Sequence, residues 1–373
     1  MFGLALSINI CYYIFGYIGT FWLINDPNVA FDFYGAFMPA VSRFLANPTT
    51  LYANTSDPFK YLPEVIYYFM IYYAIPSTAQ LNLLACSSFI FIVNLACCKL
   101  LFKIATSKNF DQYKITSPEI PIILLISLYF ITPVQYLEYV HGQVNVIINL
   151  FMILSIYSYL NNKENWGLLF IGCASIFKLT TLFLVPVLIF KDFKVAGLKK
   201  FVTRVISLVI PFMPSVIVFL VYPSLIRTFI SVNLFANQEF NRIGNASLTK
   251  FINWVFSIDV LWSLIIIGCA IYIITFYVLR KYHLNIIERF MLGMFASILI
   301  SPDFYAPHLL FLAGIFSLWF IIKPRAFGWK YKLILATIIF SYFIWAWLPV
   351  ISLVVLAFYF IFIFDIKRSQ SMT

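Results

Sequence analysis

Charged residues are scarce in this chain, at 10% of 373 residues. A soluble domain usually has about a quarter, because charge is what covers a surface facing water. The shortage excludes an ordinary soluble protein, and 63% of the residues are hydrophobic. Long apolar runs recur along the whole length, which is typical of a bundle of membrane-spanning helices.

Several recognisable catalytic patterns are also missing. The sequence has no zinc motif, no phosphate-binding glycine-rich loop, no nucleophile elbow and no dinucleotide fingerprint. All six cysteines lie inside apolar runs, where cysteine behaves as a small hydrophobe. The net charge of +11 is spread over short loops without a compact basic domain. We therefore expect no cofactor, no metal site and no nucleic-acid partner.

What is present predicts an all-α integral membrane protein, a polytopic bundle of about 11–13 transmembrane helices in one domain spanning 1–373. The run 62–76 is short for a crossing and could be re-entrant. The run 166–190 is interrupted by Lys178 and Pro186 and could form two half-helices. The apolar runs fall near 4–24, 62–76, 79–102, 119–139, 144–160, 166–190, 205–222, 254–279, 289–300, 308–322, 331–347 and 349–364.

The loops between these runs differ in basic charge. One set contains 19 Lys and Arg residues, and the other set contains five. The basic set should face the cytoplasm. The other set consists of the first polar loop (25–61) and the second polar loop (223–253), which we expect on the non-cytoplasmic side of a plasma membrane, together with the active site.

The first polar loop contains the acids that best suit catalysis. Asp32, or alternatively Asp26, could accept a proton from an attacking hydroxyl group. An amphipathic segment from Gly35 to Ala46 follows, and it predicts a helix lying on the membrane surface. The alternative is that Asp32 only caps that helix. Further substrate-binding candidates in or beside this loop are Tyr34, Tyr61 and Glu64.

Lys178 is the most unusual single residue, because a lysine in mid-membrane costs about 2.5–3.5 kcal/mol on insertion scales. It could bind a phosphate, with Arg242 of the second polar loop as a further cation, or it could extend to the nearest interface. Two predicted outer turns add groups that could hold a sugar or simply end helices: His141, Gln143 and Asn145 in one, and Asp303 and His308 in the other.

Taken in order, these segments resemble the GT-C glycosyltransferases, specifically family 87, the polyprenyl-phosphate-mannose-dependent mannosyltransferases. The resemblance covers about residues 4–323. It is carried by Asp32-Phe33-Tyr34, Leu51-Tyr52, Phe59-Lys60-Tyr61-Leu62-Pro63, Gly142-Gln143-Val144-Asn145, Ile176-Phe177-Lys178-Leu179-Thr180 with Pro186, Asn245-Ala246-Ser247-Leu248, and Ser301-Pro302 followed by His308.

The resemblance implies a membrane hexosyltransferase that moves mannose from a polyprenyl-phosphate sugar to a lipid-linked or glycolipid acceptor, with inversion. Asp32 would be the base, Lys178 would face the donor phosphate, and Gln143 and His308 would line the cavity. The chain departs from the family's usual pattern at Leu62-Pro63 and Pro307-His308. A secondary transporter or a lipid flippase is the alternative, although a transporter usually shows internal repeats that are missing here.

Overall fold

The computed structural model describes residues 2–22, 31–53, 59–75, 79–111, 129–130, 134–189, 197–235, 247–302, 310–321 and 351–370. Every regular element in these ranges is a helix, so the predicted all-α fold is confirmed. Within the described residues, three helical stretches are long and apolar enough to cross a membrane: Leu81–Ala105, Gly197–Val221 and Leu261–Lys281. The predicted run 331–347 and most of 119–139 lie outside the described residues.

The elements are numbered in chain order. The α-helices are α1 Phe2–Trp22, α2 Met38–Ala46, α3 Val65–Tyr73, α4 Ala79–Ala105, α5 Lys108–Asp111, α6 Val134–His141, α7 Asn145–Leu160, α8 Glu164–Phe177, α9 Val185–Ile189, α10 Gly197–Val209, α11 Met213–Val221, α12 Ser224–Ile230, α13 Leu248–Phe256, α14 Val260–Lys281, α15 Ile286–Ile300, α16 Leu310–Ile321 and α17 Ile351–Gln370. Short 3-10 helices occur at Pro48–Thr50, Leu179–Leu184 and Ile210–Phe212, and π-helical segments at Phe31–Phe37 and Ser231–Phe235.

Helix α3 is too short to cross a membrane. Its nine residues rise about 14 Å, less than half of a hydrocarbon core of about 30 Å. Helix α3 alone is therefore shorter than that core, and α4, which packs beside it, contains one of the stretches long enough to cross.

The predicted helix 254–279 is wrong at its start. The chain forms α13, turns at Ser257 with a left-handed φ of 54°, and begins α14 only at Val260. Asp259 caps α14 by accepting a hydrogen bond from the backbone N–H of Leu261 at 2.8 Å. The short Ser-Ile-Asp turn thus separates two helices, although hydropathy alone predicts one continuous helix across it.

Two buried features hold the bundle together. Helix α15 is buried at every position from Ile287 to Ile300 except Arg289, so it forms the centre of the later helices. A network of polar side chains joins α1, α4, α6 and α7, as expected where lipid offers no hydrogen-bond partners. Its members are Asn9, Asn94, Tyr129, Gln135, Tyr139 and Asn149, joined by bonds of 2.6–2.9 Å.

Candidate active site

Asp32 lies in the first turn of the π-helical segment Phe31–Phe37, directly before α2. Its carboxylate accepts a hydrogen bond from the side-chain amide of Gln143, which is 111 positions away in the chain. The observed partner of the carboxylate is thus a residue of the turn between α6 and α7. Two candidates chosen independently from the sequence meet in the fold.

The turn between α6 and α7 is pressed against the first polar loop at Gly142. This glycine has a φ of +64°, which disfavours other residues. A Cβ placed there would lie 3.0 Å from the Cβ of Phe33 and 3.3 Å from a methyl group of Leu83. The close approach explains why this position needs a glycine, and it places Gln143 beside Asp32.

His141 and Asn145 flank this turn. His141 ends α6, and its Nδ1 atom is buried and has no hydrogen-bond partner in the described part of the chain. Its imidazole can therefore meet a polar group of a ligand without losing a bond. Asn145 is fully buried and donates its side-chain amide to Glu138 at 2.6 Å, so it supports the turn.

The break in the run 166–190 occurs at Lys178, as predicted. Helix α8 ends at Phe177, Lys178 is extended, and a 3-10 helix follows from Leu179. The backbone carbonyl of Lys178 accepts hydrogen bonds from the N–H of Thr181 at 3.2 Å and from the Thr181 hydroxyl at 3.0 Å. Pro186 is the second residue of α9, which begins where the 3-10 helix ends at Leu184, so the regular helix is also interrupted just before the proline.

Aromatic side chains of α3 connect the two halves of the site. The ring of Tyr72 lies 6.4 Å from that of Phe33, next to Asp32, and its hydroxyl donates to Tyr68 at 3.1 Å. The Tyr68 ring lies 6.0 Å from that of Phe177, next to Lys178. The chain neighbours of Asp32 and Lys178 are thus linked through two tyrosines of α3.

Tyr34 and Tyr61 pack into the aromatic wall of the first polar loop. The Tyr34 ring meets that of Phe33 edge-on at 5.2 Å, and the Tyr61 ring meets that of Phe37 at 5.4 Å. The backbone carbonyl of Tyr61 accepts a hydrogen bond from the Tyr52 hydroxyl at 2.9 Å. Both predicted residues are therefore half-buried supports of the segment that carries Asp32.

Glu64 precedes α3, and both of its carboxylate oxygens are buried without a hydrogen bond from another described residue. Burial raises the pKa of Glu64 to about 7, against a smaller opposing effect of its own backbone N–H. Arg43 of α2 was not predicted as a site residue. Its Nε and Nη2 atoms are buried, also without a hydrogen-bond partner among described residues, and burial lowers its pKa.

Glu64→Gln should raise the melting temperature more at pH 8 than at pH 5. The Glu64 carboxyl is half ionised near pH 4.5 in the unfolded chain and near pH 7 in the folded one, where its pKa is about 7. Wild type therefore loses stability between these values, and the loss is complete above pH 7. After a discount for the partial exposure of Glu64, we expect the substitution to stabilise the protein in detergent at pH 8 by about 1 kcal/mol. That gain raises the melting temperature by about 2 °C.

Glu164→Gln is the control for this measurement. Glu164 begins α8, at the end of that helix away from Lys178, and forms ion pairs with Arg204 and Lys200. Its substitution should lower the melting temperature at pH 8, because it removes a paired carboxylate. An equal gain for Glu64→Gln at both pH values would contradict the raised pKa.

Asp26, Arg242, Asp303 and His308 lie outside the described residues. Glu138, which lies in the site, was not predicted. It is fully buried beside Asn145 at the end of a predicted apolar run. An ionisable residue in such a run was the available signal.

Comparison with known proteins agrees with the geometry. No curated protein matches the chain. The sequence model of glycosyltransferase family 87 matches residues 59–302, which include Glu64, the turn between α6 and α7, and Lys178. Asp32 lies ahead of the matched region and is joined to it by Gln143. With about two thirds of its length matched, this chain belongs to glycosyltransferase family 87.

Proposed function

We propose that this membrane glycosyltransferase moves a hexose, mannose by resemblance, from a polyprenyl-phosphate sugar to a lipid-linked or glycolipid acceptor. The observation that carries the proposal is the pairing of Asp32 with Gln143 in the region that Tyr72 and Tyr68 connect to Lys178. One carboxylate and one cation, each held by the fold, are sufficient for this chemistry.

The reaction is a single displacement. The acceptor hydroxyl attacks the anomeric carbon while its proton passes to the Asp32 carboxylate. The bond from the anomeric carbon to the phosphate oxygen breaks, and its electron pair leaves with the phosphate. Attack from the side opposite to the leaving group inverts the anomeric centre. Lys178 offsets the charge that develops on the phosphate. An oriented cation stabilises such charge most strongly when water is excluded from the site.

The neighbouring groups then have simple roles. The amide of Gln143 holds the Asp32 carboxylate in one orientation. His141 and Glu64, with buried polar atoms lacking partners in the described structure, suit hydroxyl groups of the sugar or acceptor. Arg43 offers a second cation in the first polar loop, with Arg242 as another candidate. We place the site on the non-cytoplasmic face, because the first polar loop is poor in basic residues.

The purified protein should form glycosylated product from a radiolabelled polyprenyl-phosphate mannose and a membrane-lipid acceptor, without any nucleotide sugar. The donor carries its own leaving group, and the sequence contains no glycine-rich nucleotide loop. Product should be measured by thin-layer chromatography, and its anomeric configuration by digestion with linkage-specific glycosidases, which should show inversion.

GDP-mannose offered alone is the control donor. Product from GDP-mannose with none from the lipid-linked sugar would contradict the proposed donor. Retention of the anomeric configuration would require a second nucleophile and would contradict the single displacement. Vesicle uptake of the sugar lipid without transfer would instead support a flippase.

A further inference from the structure

The helix break at Lys178 has no glycine or proline to explain it. Neither residue type occurs from position 173 to position 185. Pro186 would disturb a continuous helix at Leu182, four residues upstream, and not at Lys178. The 3-10 helix that follows is six residues long, which is more than usual, and such a stretch inside a helical run often marks a functional position. The break is therefore maintained by contacts that side chains make across it.

Two buried hydroxyl groups span the break. Ser175 lies in the last turn of α8, and Thr181 lies in the 3-10 helix. Their hydroxyl oxygens are 2.7 Å apart, and both side chains are fully buried. Since the Thr181 hydroxyl donates its one proton to the Lys178 carbonyl at 3.0 Å, it accepts the proton of Ser175. One threonine thus contacts both the residue at the break and the helix before it.

The bond between Ser175 and Thr181 is possible only in the broken conformation. In a continuous α-helix these two positions would be about 9 Å apart along the axis and about 120° apart around it. Their hydroxyl groups would then point to different faces and could not meet. The hydrogen bond therefore stabilises the break itself, together with the extended backbone of Lys178.

The far end of the 3-10 helix is held by the rest of the bundle. The hydroxyl of Tyr272, on α14, donates to the Phe183 carbonyl at 2.9 Å. On the side of α15, a Cβ placed at Gly293 would collide with the Leu184 side chain, so the two segments are in close contact. A shift of the 3-10 helix would disturb both neighbouring helices. The bundle thus fixes one end, and the two hydroxyl groups fix the end next to Lys178.

We propose that Ser175 and Thr181 are positioning residues, whose hydrogen bond keeps the chain broken at Lys178 and so directs its ammonium group toward the donor phosphate. This inference rests on the proposed function, in which Lys178 is the phosphate ligand. A continuous helix would turn the lysine in a different direction. A cation that is held in place before the reaction stabilises the developing charge without a cost of reorganisation.

Thr181→Val should bind farnesyl phosphate about fivefold more weakly than wild type, which corresponds to about one net hydrogen bond. Valine keeps the shape of threonine, and the Ser175 hydroxyl can still donate to the Ile171 carbonyl at 2.8 Å. Thr181→Ser keeps the hydroxyl and should retain the wild-type affinity. Binding should be measured by scintillation proximity with radiolabelled farnesyl phosphate and the full-length protein in nanodiscs. An unchanged affinity of folded Thr181→Val would overturn the inference.

The same substitution in a protein without the lysine separates positioning from a general structural role. The hydroxyl groups act on phosphate only through Lys178. Thr181→Val/Lys178→Met should therefore bind farnesyl phosphate as Lys178→Met does. A structural bond would weaken binding by the same factor with or without the lysine, and that result would contradict the proposal.

Thr275→Val is the matched control. Thr275 is a fully buried threonine on α14, and its hydroxyl lies 2.7 Å from the Tyr359 hydroxyl on α17. Its melting temperature should fall about as much as that of Thr181→Val, while its affinity for farnesyl phosphate stays at the wild-type value. Equal weakening of binding in both variants would show that loss of any buried hydroxyl pair has this effect.

Ser175→Ala supplies a second test in case Thr181→Val does not fold. It removes the same bond from the other side and should weaken binding to a similar extent, so a wild-type affinity of the folded variant would contradict the inference. If Lys178→Met weakens binding but Ser175→Ala and Thr181→Val do not, only the inference fails. If Lys178→Met binds farnesyl phosphate as wild type does, the phosphate ligand of the proposed function is wrong as well.

Discussion

Asp32→Asn should lower the rate of sugar transfer by about 10²–10⁴-fold, the usual loss on removing a general base. The asparagine keeps the shape of the side chain and can still accept a bond from Gln143, so the fold of the π-helical segment should survive. The proton of the acceptor hydroxyl then has no carboxylate to receive it. The loss should appear in kcat, measured at saturating polyprenyl-phosphate mannose.

Asp259→Asn is the control for this substitution. Asp259 is an exposed acid that caps α14, and asparagine caps helices about as well as aspartate. Its transfer rate should stay near that of wild type. If Asp32→Asn stays active while Asp26→Asn is inactive, Asp26 is the base. The transfer rate of Gln143→Leu should lie between those of wild type and Asp32→Asn, because this substitution removes only the group that orients the Asp32 carboxylate.

Most of the helices could be predicted from the sequence, because apolar runs and their polar interruptions report directly on the membrane. The break at Lys178 was visible as a cation inside such a run. The boundary at Ser257 was missed because its turn is only three residues long and lies between two apolar stretches. The sequence could not decide whether the run that contains α3 crosses the membrane, since 15 residues fit either a crossing or a re-entrant helix.

The site could be predicted only as separate residues. Asp32 and Gln143 were both singled out, but their contact spans 111 positions and depends on how the first polar loop packs on Gly142. Glu138 was missed as a site residue because its hydrogen bonds to Asn145 and Val146 form only when the turn between α6 and α7 folds back on α6. A buried acid in an apolar run nevertheless signals that a partner exists.

Lys178→Met should lower transfer by about 10²–10³-fold, the loss typical of removing one group that stabilises transition-state charge. Methionine keeps most of the length of the side chain and removes the charge that faces the phosphate. The extended conformation at position 178 should persist, because its carbonyl is held by Thr181. Activity should be measured on the monodisperse fraction from size-exclusion chromatography, so that only folded protein is compared.

Stability separates the two roles that a buried lysine can have. Removing Lys178 relieves an insertion cost of about 2.5–3.5 kcal/mol. Lys178→Met should therefore melt at least as high as wild type while losing transfer activity. Lys178→Arg keeps the charge and should retain part of the activity, whereas Lys103→Met, at the basic end of α4, should retain all of it. Full specific activity in folded Lys178→Met would make this lysine a structural residue and would remove the phosphate ligand from the proposed mechanism.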